Sequence, residues 1–151
     1  MAAAEVTERD FVYRLVSDKK EYVEGEPVLI YAELEYVGDK DSVTIYHASS
    51  PFYFPIVEKT RDYVIGYAMD QPLISTTLER GKPLREDYRK SGGYTEQDNK
   101  EYIAFMKAFS EGNGFPAGRY EVDGFADFFV ESAENGQENY KIKAQMEFAV
   151  R

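Results

Sequence analysis

The stretch from Phe115 to Val150 constrains this chain more than any other. Phe115-Pro-Ala-Gly-Arg-Tyr120 reads as a turn that feeds a strand. Beyond it Tyr120, Val122, Gly124, Ala126, Phe128 and Val130 fall at every second position, with Arg119, Glu121, Asp123 and Asp127 between them. After Asn135-Gly136 the same period returns, with Tyr140, Ile142, Ala144, Met146, Phe148 and Val150 against Lys141, Lys143, Gln145 and Glu147. Successive side chains of a strand point to opposite faces, so this period predicts two half-buried strands. An Asn-Gly pair between them predicts a hairpin turn. Phe125 and Phe129 interrupt the polar side of the first strand.

The rest of the chain repeats the pattern in shorter pieces. Phe11, Tyr13 and Leu15 alternate with Val12, Arg14 and Val16. Glu24 to Pro27 is a turn, because Gly tolerates positive φ and Pro fixes its own. Val28, Ile30, Ala32, Leu34 and Tyr36 then oppose Glu33 and Glu35, and Val43, Ile45 and His47 oppose Ser42, Thr44 and Tyr46. Short strands are expected at 52–57, 63–68 and 73–78, with an edge segment at 84–89. One segment changes period: Tyr102, Phe105, Met106 and Phe109 recur at i, i+3, i+4 and i+7, an amphipathic helix face. The expected helix covers about residues 96–110, with Thr95 as N-cap and Glu96 and Asp98 at its positive end. Together these features predict a mainly β chain, an immunoglobulin-like antiparallel β-sandwich with one inserted α-helix. A partly closed barrel requires the same alternation. Residues 1–9 are expected to be a disordered tail and residues 10–151 a single sandwich domain.

Composition removes several function classes. The formal net charge is -10, from 28 acidic and 18 basic residues. Such a surface repels phosphate backbones and anionic lipid, so no nucleic-acid partner and no direct membrane insertion are expected. The chain has no cysteine, which excludes disulfides, thiolate metal sites and cysteine nucleophiles. His47 is the one histidine and no Gly-x-Ser-x-Gly elbow accompanies it, so no catalytic residue is assigned and no enzyme is expected. Asp39 with Asp41, and Asp123 with Asp127, are acidic pairs without a calcium-loop pattern, so no metal or cofactor is assigned. The polar start, Met1 to Glu8, looks like a chain that begins after a removed leader or lipid anchor. An extracytoplasmic, envelope-associated location is therefore expected, with a native cytosolic tail as the alternative.

Several turns carry a resemblance. Tyr22-Val-Glu-Gly-Glu-Pro-Val28, the Gly38-Asp39 turn, the Leu78 to Pro83 segment and Pro116-Ala-Gly-Arg-Tyr-Glu-Val122 resemble the bacterial intracellular proteinase inhibitor group and related immunoglobulin-like domains of cell-envelope lipoproteins. The resemblance implies a sandwich fold, and either an envelope domain or a proteinase inhibitor. The segment Ser91 to Gly114 departs from the compact inhibitor pattern.

Aromatic residues make up 15% of the chain, with 13 Tyr, 10 Phe and no Trp. Phe52, Tyr53, Phe54, Tyr63 and Tyr67 are too many to hide on short alternating strands, and they form the expected partner-binding surface. Tyrosine combines contact area with a polar tip. The expected function is a non-enzymatic protein-interaction or structural domain of the bacterial envelope. Proteinase inhibition is the first alternative, with Pro51 to Pro55 or Gly112 to Gly118 as the inserting loop. A carbohydrate or small-ligand module is the second.

Overall fold

A computed structural model describes residues 1–134 and 136–151. The chain is an antiparallel-rich β-sandwich with one helix. The smaller sheet holds β1 (Ala2–Glu8), β2 (Phe11–Ser17), β4 (Ile30–Tyr36) and β10 (Leu84–Asp87), in the order β1-β2-β4-β10. The larger sheet runs β3-β12-β11-β5-β9, from β3 (Glu21–Tyr22), β12 (Gly136–Val150), β11 (Gly118–Ser132), β5 (Ser42–His47) and β9 (Ile74–Glu79). β11 and β12 are the predicted long strands, 15 residues each, paired without a break from Gly118↔Val150 to Ser132↔Gly136. Asn135, half of the expected Asn-Gly turn, lies outside the described residues.

The second edge of β11 is filled by a broken strand. Tyr46 of β5 pairs with Phe129, β6 (Phe52–Tyr53) with Phe125 and Ala126, and β7 (Ile56–Glu58) with Tyr120 to Val122. Pro51 and Pro55 sit at the breaks. Proline cannot donate to a ladder and is confined to edges and bulges. Here each still accepts: Asp127 N donates to the Pro51 carbonyl and Asp123 N to the Pro55 carbonyl, both at 2.8 Å. β8 (Tyr63–Ile65) pairs with β7 on the outside.

The core lies between the sheets. Tyr13, Leu15, Ala32 and Leu34 of the smaller sheet meet Phe52, Val122, Ala126, Phe128 and Ile142 of the larger, all at 2% exposure or less. Phe11 makes edge contacts with Phe128 and Tyr140, each with ring centroids 4.9 Å apart. Tyr120 closes the corner where the chain enters β11, its hydroxyl donating to the Pro116 carbonyl at 2.6 Å.

Two expectations are corrected here. Residues 2–8 are a strand and not a disordered tail: β1 pairs with β2 from Ala2↔Ser17 to Glu8↔Phe11. Ala2, Ala4 and Val6 are its half-buried positions, and their small size lets β1 come within 8 Å, Cα to Cα, of β12. The helix α1 (Lys100–Ser110) starts later than expected. Its N-cap is Asn99, whose Oδ1 accepts from Glu101 N at 2.8 Å. Thr95 belongs to a separate turn, in which its N–H donates to the Asp98 carboxylate at 2.7 Å. Asn99→Ala should therefore cost about 1 kcal/mol, the usual worth of such a cap. Thr95→Ala should cost well under half of that, as measured by urea denaturation.

The helix buries the predicted face. Phe105, Met106 and Phe109 are in the core, Tyr63 contacts Tyr102 and Phe105, and Phe109 packs on Phe115. At its C-terminal end the Lys90 ammonium donates to the carbonyls of Phe109, Gly112 and Gly114 and lies over the Phe109 and Phe115 rings. A cation there satisfies orphan carbonyls and opposes the negative end of the helix dipole.

Candidate functional site

The predicted aromatic surface divides in two. Phe52 and Phe54 are fully buried, at 0% and 1% exposure, and cannot contact a partner. They stand two residues apart on the broken strand, so both point inward while Tyr53 points out. Tyr63 is half-buried against the helix. Tyr67 is half-buried against Phe54, Tyr53 and Tyr88. Of the five, Tyr53 alone lies on the outer face of the larger sheet.

On that face the rings stand edge-on. Tyr53 stacks on Phe125 at 4.6 Å and 10°, and Tyr46 on Phe129 at 5.1 Å and 15°. These are the cross-strand pairs of the register Phe125↔Tyr53 and Phe129↔Tyr46, and such pairs fasten strands together. The other side of Phe125 is covered by Lys141, with its ammonium 4.6 Å from the centroid. A sugar-stacking platform needs open ring faces, and those of Phe125 are already used.

Beside the rings the face loses its charge. From Ser42 to Val57, and again from Gln71 to Leu78, the chain has no Asp, Glu, Lys or Arg, although 30% of all residues are charged. The register of β5 with β9 lays Ser42, Thr44 and Tyr46 against Glu79, Thr77 and Ser75 on the outer side. The Thr44 and Thr77 hydroxyls are 3.3 Å apart. The segment entering β9 is exposed from Asp70 to Ser75, with Leu73 at 72% and Ile74 at 39%. Pro72, Leu73, Tyr46, Tyr53 and Phe129 line a shallow hollow of about 240 Å³, with Asp127 as its one charged side chain among the described residues. Two anchors hold this segment: Ser49 N donates to the Asp70 carbonyl at 3.1 Å, and Ile74 and Ser75 pair with His47 and Tyr46 of β5.

The opposite face of the sandwich shows the contrast. On the smaller sheet Arg14 lies among Glu5, Glu35 and Glu33, at 2.6, 2.9 and 3.7 Å, and Arg85 stacks on Tyr31 at 3.7 Å. That face is a solvated charge lattice; the outer positions of β5, and of β9 as far as Thr77, carry no charge, and Glu79, Asp127 and Glu131 stand at their margin.

The other candidate groups are engaged in structure. His47 is buried, with Nδ1 2.6 Å from the Ala48 carbonyl and Nε2 2.7 Å from Thr76 Oγ1, so both ring nitrogens are occupied. A hollow of about 480 Å³ lies over Phe125, Asp123, Lys143 and Gln145. Its polar groups bond one another: Gln145 donates to Asp123 at 2.8 Å and to Glu121, and Lys59 bridges Glu121 at 2.7 Å. Burial raises the Asp123 pKa, while the Lys59 hydrogen bond lowers that of Glu121. Among the described residues no three His, Cys, Asp or Glu side chains are grouped to hold a metal. No described helix is long and apolar enough to cross a membrane.

Both loops expected to enter a proteinase are packed. Pro51 to Pro55 is part of the sheet, and Phe115 is buried at the centre of the Gly112 to Gly118 segment. Glu24 accepts from Ala117 N at 3.0 Å, and Val28 N donates to the Asn113 carbonyl at 3.0 Å. Comparison of the sequence with models of known protein families finds none that matches, and comparison with curated proteins finds no match.

Proposed function

We propose that this chain is a non-enzymatic interaction domain of a bacterial cell envelope, and that it engages a protein partner through the neutral outer face around β5 and β9. The observation that carries the reading is Leu73, 72% exposed beside the uncharged outer positions Thr44, Tyr46, Ser75 and Thr77 of a heavily charged chain, with Asp127 and Glu79 at the margin. The cores of protein interfaces are depleted of charge and enriched in aromatic side chains. Contiguous exposed apolar area on a monomer marks such a site. The envelope part rests on the resemblance of the turns at Tyr22 to Val28 and Pro116 to Val122. The strand order and the Tyr120 corner are features of immunoglobulin-type sandwiches and support the same reading.

The test is photo-cross-linking on intact bacteria. A photoreactive residue at Leu73 should give a discrete adduct, and the same residue at Glu35, on the charged sheet, should give none. Leu73→Asp should weaken capture of that partner about 30-fold, the size of an interface hot spot. It should leave stability within about 0.5 kcal/mol, as for other surface changes. Equal adducts from both positions, or none from Leu73, would discard the face.

A second reading, proteinase inhibition, draws on the same segment. Asp70 to Ile74 is exposed and held at one end by the Asp70 carbonyl and at the other by the pairing of Ile74 with His47, as an inserting loop must be. Stoichiometric loss of serine-proteinase activity, abolished by Leu73→Asp with the domain uncleaved, would bring this reading forward. Full proteinase activity at excess domain would end it.

A further inference from the structure

We propose that the outer edge of β9 accepts an extended, uncharged strand of the protein partner, which adds to the larger sheet there. The inference rests on the neutral-face reading and names how the partner binds. β9 pairs with β5 on one side and, among the described residues, with nothing on the other. Arg80 N donates to the Asp41 carbonyl at 2.9 Å, which sets the phase of the ladder. Bonded and non-bonded pairs alternate in an antiparallel ladder, so Ile74, Thr76 and Leu78 turn their backbone groups to β5. Ser75 and Thr77 turn their N–H and C=O groups outward, where no strand meets them.

Among the described residues the other edges are blunted in ways that discourage strand addition, β3 by being two residues long. Three of the four residues of β10 are charged, Arg85, Glu86 and Asp87. β1 carries Glu5 and Glu8, and β12 carries Lys141, Lys143 and Glu147. On β8 the Val64 carbonyl is taken by the Tyr102 hydroxyl at 2.7 Å. β9 has no charge from Ile74 to Leu78, before Glu79 ends it, and the exposed Leu73 precedes it.

The chemistry of the edge selects the occupant. Alternating free N–H and C=O groups are satisfied by an extended backbone, not by a helix or a sugar. The neighbouring side chains Leu73, Ile74, Ser75 and Thr77 offer no counter-charge, so a charged strand would be desolvated there without compensation. A second copy of this chain is disfavoured, because each carries a formal charge of -10.

The experiment measures amide hydrogen exchange of the isotope-labelled chain with two capped seven-residue peptides at millimolar concentration. One alternates threonine and valine; the other has glutamate at every second position. The neutral peptide should slow exchange at the Ser75 and Thr77 amides at least tenfold, and the acidic peptide should not. Ser75→Pro should remove that protection while leaving the β5–β9 ladder amides unchanged, since its N–H makes no ladder bond. Ser75→Lys, which keeps the backbone donor and adds a charge, should also remove protection, and it decides the matter if the proline variant does not fold. Unchanged exchange at both amides, or equal protection by the two peptides, would overturn strand addition. So would protection without peptide in a dimer that Ser75→Lys dissociates, which would make the occupant a second copy. Shifts at Leu73 and Tyr46 with both amides unprotected would overturn strand addition and leave the face itself standing, whereas absence of the Leu73 cross-link would remove the face.

Discussion

Gly124→Ala should destabilise the chain by about 3 kcal/mol, the upper part of the range for overpacking a core. For a chain of this length that corresponds to a fall of roughly 6–12 °C in Tm. Gly124 lies in the middle of β11 with its absent side chain directed inward. A Cβ there would stand 2.5 Å from the Tyr13 hydroxyl and 2.9 Å from Leu15 Cδ2. The Tyr13 ring is rigid and fully buried, so it cannot yield. Its hydroxyl has no protein hydrogen-bond partner, and burial raises its pKa. A buried hydroxyl without a partner is itself a cost of about 1–3 kcal/mol. Tyr13→Phe should thus be neutral or stabilising by about 1 kcal/mol, and it removes the nearest obstacle to a Cβ at position 124. In the Tyr13→Phe background Gly124→Ala should cost at least about 1 kcal/mol less, since contacting residues couple. Urea denaturation of the four proteins gives the cycle directly. Strict additivity would mean that the glycine is required for some reason other than the tyrosine.

That pairing also shows how far the sequence could be read. Period two placed Gly124 on the inner face of a strand, but nothing in the alternation said which residue would stand against it across the sandwich. The long hairpin was legible because large apolar side chains alternate with charges over both strands. β1 was not, because Ala-Ala-Ala-Glu-Val-Thr-Glu has too little contrast between its two faces to show a period. The helix face was legible from its spacing. Its first residue was not, because Thr95 and Asn99 are both good caps, and the local turn at Asp98 decides between them. Phe52 and Phe54 belonged to a group of aromatic residues too many to hide on short alternating strands. The reason they are buried is non-local: Ser42 to Glu58 forms one broken strand along β11, and a single inward face takes both rings. The neutral surface had a sequence signal, the two charge-free runs, but a reading based on aromatic residues passes over it. Serine and threonine are unremarkable in a list and become informative when the register sets them side by side.

The contrast between engaged and unengaged polar groups is sharpest at Glu58. Its carboxylate is 0% exposed at the end of β7, where an unpaired charge would be costly. It accepts from Arg61 N at 2.6 Å and Thr60 N at 3.3 Å, and it pairs with the Arg61 guanidinium at 3.1 Å. That guanidinium also donates to the Ala117 carbonyl at 2.9 Å and lies 5.1 Å over the Phe105 ring. One carboxylate therefore ties the β7–β8 turn to the approach to β11 and to the helix. Gly118 packs directly on the carboxylate, so no side chain there can compensate for its loss. Glu58→Ala should cost about 3 kcal/mol, the lower end of the range for breaking a buried pair, because Arg61 is partly open to solvent. Glu58→Gln, which keeps the acceptor oxygen but not the charge, should cost about half as much. Beyond the global loss, amide exchange in α1 should quicken more than in β2 and β4, because the tie to Phe105 is severed while the smaller sheet is untouched. A uniform change across both sheets would mean that Glu58 supports the core as a whole. Stability within about 1 kcal/mol of the parent would mean that the turn holds without its carboxylate, and that the helix is fastened without it, by its aromatic contacts with Tyr63 and Phe115 and by the Tyr102 and Lys90 hydrogen bonds.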